Sequence, residues 1–237
     1  MAPITVALTR LLAGIPVPDT QMINGSIALA RASLPDEGFN HVMRAWLNGQ
    51  AIINRLPAAN RSIIDEEAFG VAAILHDLGW SPDPEYISQD KRFEVDGAIA
   101  ARAWIQEHGR ANEWPVARQQ LVWDSIAIHT TADISRYAAP VVSIVSAGTF
   151  TEILGPTPAK VFFGDMITVT QNEWQGIVDE FPRPNYKEYH KDVLSNICRV
   201  KPQTTYENGL AGWGEKYVAN YTRIGHRFID FFEANTP

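Results

Sequence analysis

Asp65-Glu66-Glu67-Ala68-Phe69-Gly70-Val71-Ala72-Ala73-Ile74-Leu75-His76-Asp77-Leu78-Gly79 is the stretch on which the fold turns. Asp65 is placed to cap a helix, and Glu66 and Glu67 suit the positive end of its dipole. Ala68, Val71, Ala72 and Leu75 recur at helical spacing and mark a buried stripe. The apolar run then ends abruptly on two ionisable residues, His76 and Asp77. Gly79 is expected to close the helix in the left-handed conformation.

Outward from this helix the period stays helical, and strand-like alternation is scarce. An earlier helix spans about Phe39 to Ile53, with Val42, Ala45, Trp46, Gly49, Ile52 and Ile53 on one face and His41 beside it. A third spans roughly Glu94 to His108 and stops at Gly109. A fourth follows Pro115 to about His129 and puts Val122, Ile126 and His129 on one face. A fifth starts at Pro140 and ends at Gly155-Pro156. Further helices are expected near Tyr186–Val200 and Gly214–Phe232. The expected fold class is therefore all-α: a helical bundle with a C-terminal helical extension.

Bulk properties fit that class. The chain has 237 residues, 46% hydrophobic and 20% charged, a normal globular balance. One domain is expected over residues 1–237, with a core at about 38–156 and a C-terminal part at about 157–237. The net charge of −7 is scattered rather than blocked, which argues against nucleic acid or an anionic membrane as a partner. Met1 to Pro18 is interrupted by Arg10 and reads as neither signal peptide nor anchor. Cys198 stands alone, so no disulfide forms within the chain, and a reducing, cytoplasmic setting is expected.

Ionisable residues in apolar surroundings are the candidates for chemistry. A neighbouring imidazole and carboxylate at a helix end can face one cation, and mixed N/O ligation suits zinc, iron or manganese. Taken alone, His76-Asp77 reads more simply as a packed histidine beside a surface aspartate, and His41 as a satisfied core histidine. Glu152 is the only Asp, Glu, Lys or Arg between Arg136 and Lys160. It is either solvated at a helix end or paired, and a cation would be a sufficient partner. His129 is a further ligand, a general acid/base, or a core histidine bonded to a carbonyl. Glu94 is either a second proton carrier or a helix cap.

Several segments together resemble the HD superfamily of metal-dependent phosphohydrolases and hydratases, and most closely its cyanamide hydratase-like branch. They are Phe39-Asn40-His41, Ile74 to Gly79, Arg92 to Ala98, Ala127 to Thr131, Lys201 to Tyr206 and Trp213 to Tyr217. The resemblance runs from about Gly38 to Phe232 and implies an HD-domain bundle. It implies His41, His76, Asp77 and Glu152 as ligands of one divalent metal, zinc foremost, with His129 and Glu94 serving the reacting water. Relatives carry Asp where this chain has Glu152. Related di-iron oxygenases carry an extra His where this chain reads Arg92-Phe93-Glu94, which favours one metal over two.

The implied activity is hydration or hydrolysis of a small molecule by metal-activated water, with a cyanamide- or nitrile-like C–N bond as the first candidate. Trp46, Trp80, Phe93 and Phe150 are candidates for an apolar pocket. A phosphohydrolase of a nucleotide or small phosphate ester is the alternative, with Arg44, Lys91 and Arg92 as possible clamps. A non-catalytic binding protein on the same scaffold is the third. The C-terminal aromatics, Trp174, Trp213, Tyr217, Tyr221, Phe228, Phe231 and Phe232, either complete a core or form a homo-oligomer face.

Overall fold

The computed structural model describes residues 8–236; the first seven residues of the Met1–Pro18 stretch lie outside them. In chain order the described elements are β1 (Thr9–Leu12), β2 (Ile15–Pro18), α1 (Gln21–Ser33), α2 (Asp36–Asn54), α3 (Ala58–Arg61), α4 (Glu66–Leu75), α5 (Phe93–His108), α6 (Val116–Ala127), α7 (Ala132–Ser135), α8 (Pro140–Leu154), α9 (Pro156–Phe163), α10 (Gln171–Glu180), α11 (Tyr186–Val200), α12 (Ala211–Tyr217) and α13 (Phe228–Asn235), with short 3-10 turns between. The all-α expectation is met. No helix among the described residues is long and apolar enough to cross a membrane.

The centre is a stack of three nearly dry helices. In α2 every residue from His41 to Ile53 is buried, and in α4 every residue from Ala68 to Leu75. The third, α8, is buried from Val141 to Thr149. Helix α2 packs on both α4 and α8, while α1, α5 and α6 close the other sides of α4. The cap expected at Asp65 forms: its Oδ1 accepts from Ala68 N at 3.0 Å. The same carboxylate takes two hydrogen bonds from the Arg118 guanidinium, at 2.6 and 2.7 Å, tying the start of α4 to α6.

Glycine sets the closest approach in this stack. A Cβ on Gly148 of α8 would lie 2.5 Å from the Ala45 carbonyl oxygen and 2.9 Å from Gly49 N, both in α2. The two backbones therefore touch, which fixes His41 of α2 relative to Glu152 of α8.

Some elements differ from expectation. Residues Thr9 to Pro18 pair as an antiparallel hairpin, turned by Ala13 and Gly14 at φ 49° and 76°. Two positive φ values make the tight turn that suits strand twist, a local cue that helical periodicity hides. Gly79 is not left-handed; it lies in a 3-10 turn, Leu78–Trp80. It must be glycine because a Cβ would sit 2.1 Å from the Phe93 carbonyl oxygen. Where α8 ends, Gly155 takes a positive φ of 85°. Helix α6 stops at Ala127, leaving His129 in the turn beyond. The long helix expected from Gly214 to Phe232 is broken, with Asn220 and Gly225 at positive φ between α12 and α13. The C-terminal aromatics divide: Trp213 and Tyr221 pack on a small cluster of Phe93, Ile197, Cys198 and Leu210, while Phe228, Phe231 and Phe232 are exposed.

Gly148→Ala is expected to destabilise the fold by about 1–3 kcal/mol, because the crossing is already at backbone contact. Urea unfolding of wild type and variant measures it; an unchanged midpoint would show that α2 and α8 part without cost.

Candidate metal centre

One helix interior and one helix end bring the central residues together. His41 lies in the second turn of α2, and His76 and Asp77 follow the last turn of α4. All three are buried, 0–1% exposed. His76 Nδ1 is 2.8 Å from the Ala73 carbonyl oxygen, so its N–H donates there and Nε2 carries the lone pair. His41 Nδ1 is 2.9 Å from Glu152 Oε2, which likewise leaves Nε2 free.

These free atoms face one another. His41 Nε2 lies 3.2 Å from His76 Nε2, and Asp77 Oδ2 lies 3.1 and 3.2 Å from the two nitrogens. Neither Asp77 oxygen receives a well-formed hydrogen bond. Two lone pairs and a carboxylate repel at this range in a dry interior unless a positive charge lies between them. Donors about 2.0–2.1 Å from a tetrahedral ion are about 3.3 Å apart. The three residues thus form a buried group able to hold a metal ion.

The electrostatics point the same way. Burial opposes charge on His41, but the Glu152 and Asp77 carboxylates outweigh it and raise its pKa to about 9. Burial likewise opposes charge on Asp77, yet His76 and His41 hold its carboxyl well below the usual carboxylate range. The surroundings of His41 therefore favour a positive charge at Nε2, a proton shared with Asp77 or a metal ion in its place.

Glu152 departs from its expected place among the ligands. It stands behind His41, with both oxygens occupied. Oε2 accepts from His41 Nδ1 and from the Tyr186 hydroxyl at 2.6 Å; Oε1 accepts from Arg44 Nε at 2.6 Å and Arg183 Nη2 at 3.3 Å. Despite burial these cations hold the carboxyl far below its ordinary range, with His41 the main contributor. This contact fixes the ring and tautomer of His41, the arrangement in which a carboxylate supports a histidine whose other nitrogen binds a metal.

His129 does reach the site. Its Nδ1–H donates to the Ile126 carbonyl at 2.7 Å, and Nε2 stands 3.6 Å from Asp77 Oδ1. Burial and the neighbouring His76 lower its pKa to about 4. Glu94 does not. It is buried, but its Oε1 accepts from Thr130 Oγ1 and from Arg92 Nη2, each at 2.6 Å, so it braces Thr130 from behind. Nor does it cap α5, which has no side-chain cap.

A cavity of about 500 Å³ opens on His41, Asp77 and His129. Trp80, Phe93 and Phe150 line it as expected; Trp46 does not, being fully buried in the core. The C-terminal part supplies wall residues that were not anticipated: Arg183, Tyr186, His190, Leu194, Leu210 and Trp213. Tyr186 and His190 fall one turn apart on α11, and that i, i+4 pair was the available signal. His190 has its pKa lowered to about 4, by burial and by the nearby His41. The arginines considered as phosphate clamps are committed elsewhere. Arg44 is fully buried on Glu152 and on the Phe181 and Pro182 carbonyls, and Arg92 is on Glu94. Lys91 pairs with Asp90 at the surface.

Compared with protein-family models and with curated proteins, the chain matches none.

Glu152→Gln keeps the shape but replaces the acceptor opposite His41 by a neutral amide. Affinity for zinc, read by competition with a chelator, should fall about 10–100-fold. Unchanged affinity would mean that Glu152 does not orient the ring.

Proposed function

We propose that this chain is a metal-dependent hydratase of the HD superfamily, acting on a small neutral molecule with a carbon–nitrogen multiple bond. The observation that carries the reading is the convergence of His41 Nε2, His76 Nε2 and Asp77 Oδ2 at one end of a cavity walled largely by aromatic and aliphatic side chains. The mixed two-nitrogen, one-oxygen donor set suits zinc, with iron or manganese also accommodated. A bound cation supplies Lewis acidity and the means to activate water near neutral pH.

The chain's own residues supply the rest. Water adds across the triple bond: a carbon–oxygen bond forms, one π bond breaks, and a proton reaches nitrogen, giving an amide after tautomerisation. His129 is the proton carrier, because its Nδ1–H is tied to Ile126 and Nε2 is the ring atom left to take and return a proton. Trp80, Phe93 and Phe150 exclude bulk water from the reacting atoms. Arg44 and Arg92 are committed to Glu152 and Glu94, and of the cations that line the cavity Arg183 also donates to Glu152 while Lys187 is exposed at the rim, which favours a neutral substrate over a phosphate ester.

Zinc-loaded protein offered cyanamide, short aliphatic nitriles and phosphomonoesters should yield urea or amide and no inorganic phosphate. His129→Gln should lower kcat about 10²–10⁴-fold while zinc content stays unchanged. Phosphate release, or full turnover by His129→Gln, would contradict the proposal.

A further inference from the structure

We propose that His190 selects the substrate, its Nε2 receiving an N–H from a small neutral molecule seated beside His41. The inference rests on the hydratase reading and narrows its substrate class to compounds that carry an N–H donor.

His190 is 7% exposed and lies one turn after Tyr186 on α11. Its Nδ1–H donates to the Tyr186 carbonyl at 2.8 Å, which leaves Nε2 as the acceptor of the ring. That Nε2 is buried and has no partner. Buried acceptors are nearly always satisfied, so one left open on a cavity wall marks a place for a ligand. The ring stands edge-on to His41, centroids 5.0 Å apart, and edge-on to Trp80 at 5.5 Å. All three line the same cavity.

The rest of the wall has the same polarity. Thr130 gives its hydroxyl hydrogen to Glu94, Thr149 to the Val145 carbonyl and Tyr186 to Glu152. Each therefore presents oxygen lone pairs and no hydrogen. The exceptions are Trp80 and Arg183, whose buried Nε1–H and Nε–H have no partner, and Lys187, exposed at the rim. Arg183 is engaged by Glu152 and lies over the Trp174 and Tyr186 rings. Around His190, then, the hydroxyl oxygens and the ring nitrogen complement a ligand that brings hydrogens.

Cyanamide and acetonitrile test this directly, because they differ by an amino group in place of a methyl of similar size. Dissociation constants are measured by calorimetry on zinc-loaded wild type, His190→Ala and His190→Gln, with KM and kcat for whatever turns over. Wild type should prefer cyanamide by about tenfold or more, the worth of one hydrogen bond. His190→Ala should remove that preference, raising KM for cyanamide more than it lowers kcat and leaving acetonitrile binding unchanged. His190→Gln, whose amide oxygen accepts, should restore part of it. Equal losses for both ligands, or a preference that survives His190→Ala, would overturn the assignment and leave the hydratase reading standing. If wild type binds neither nitrile, the hydratase reading falls and takes this inference with it.

Discussion

Two imidazole nitrogens and one carboxylate, their side chains 0–1% exposed, meet within 3.2 Å at the inner end of the cavity. Like-signed partial charges at that range, in a low dielectric, drive their carriers apart unless a cation or a proton lies between them. The chain holds them there from several directions. The Ala73 carbonyl turns His76, Glu152 turns His41, and the touching backbones at Gly49 and Gly148 fix the distance between the helices that carry His41 and Glu152.

Glu152 connects the centre to the C-terminal part. Its partners come from α2, from α11 and from the segment between α10 and α11, and Arg44 reaches on to the Phe181 and Pro182 carbonyls. A second buried ion pair, Lys201 Nζ to Asp96 Oδ2 at 2.6 Å, joins the end of α11 to the first turn of α5. Breaking a buried pair leaves an uncompensated charge, so both links are strong constraints on geometry. The residues after about 157 thus form part of the site: they hold Glu152 in place and contribute His190, Leu210 and Trp213 to the cavity wall.

Helix α4 was legible because capping, dipole and period agree between Asp65 and Leu75, and α11 because its amphipathic period runs unbroken from Tyr186 to Val200. His41, His76, Asp77 and His129 were legible as polar residues in apolar company. Glu152 stood out for the same reason, but its place did not follow: nothing local says that Arg44, Arg183 and Tyr186 would converge on it from up to 108 residues away. Glu94 was misplaced because its partner Thr130 is 36 residues distant. The hairpin and the break after Tyr217 depend on positive φ at Ala13, Asn220 and Gly225, which helical periodicity does not encode. His190 was missed because a histidine on an amphipathic helix is ordinary until its unpartnered nitrogen is seen against the cavity.

Everything at the centre turns on the assignment of a metal to His41, His76 and Asp77. It is tested most directly by purifying the protein without chelator and measuring zinc, iron and manganese per chain, beside Asp77→Asn. About one ion per chain is expected, zinc foremost, and its loss in the variant. A chain that stays free of metal even after reconstitution, or binds it equally well with Asp77→Asn, would contradict it.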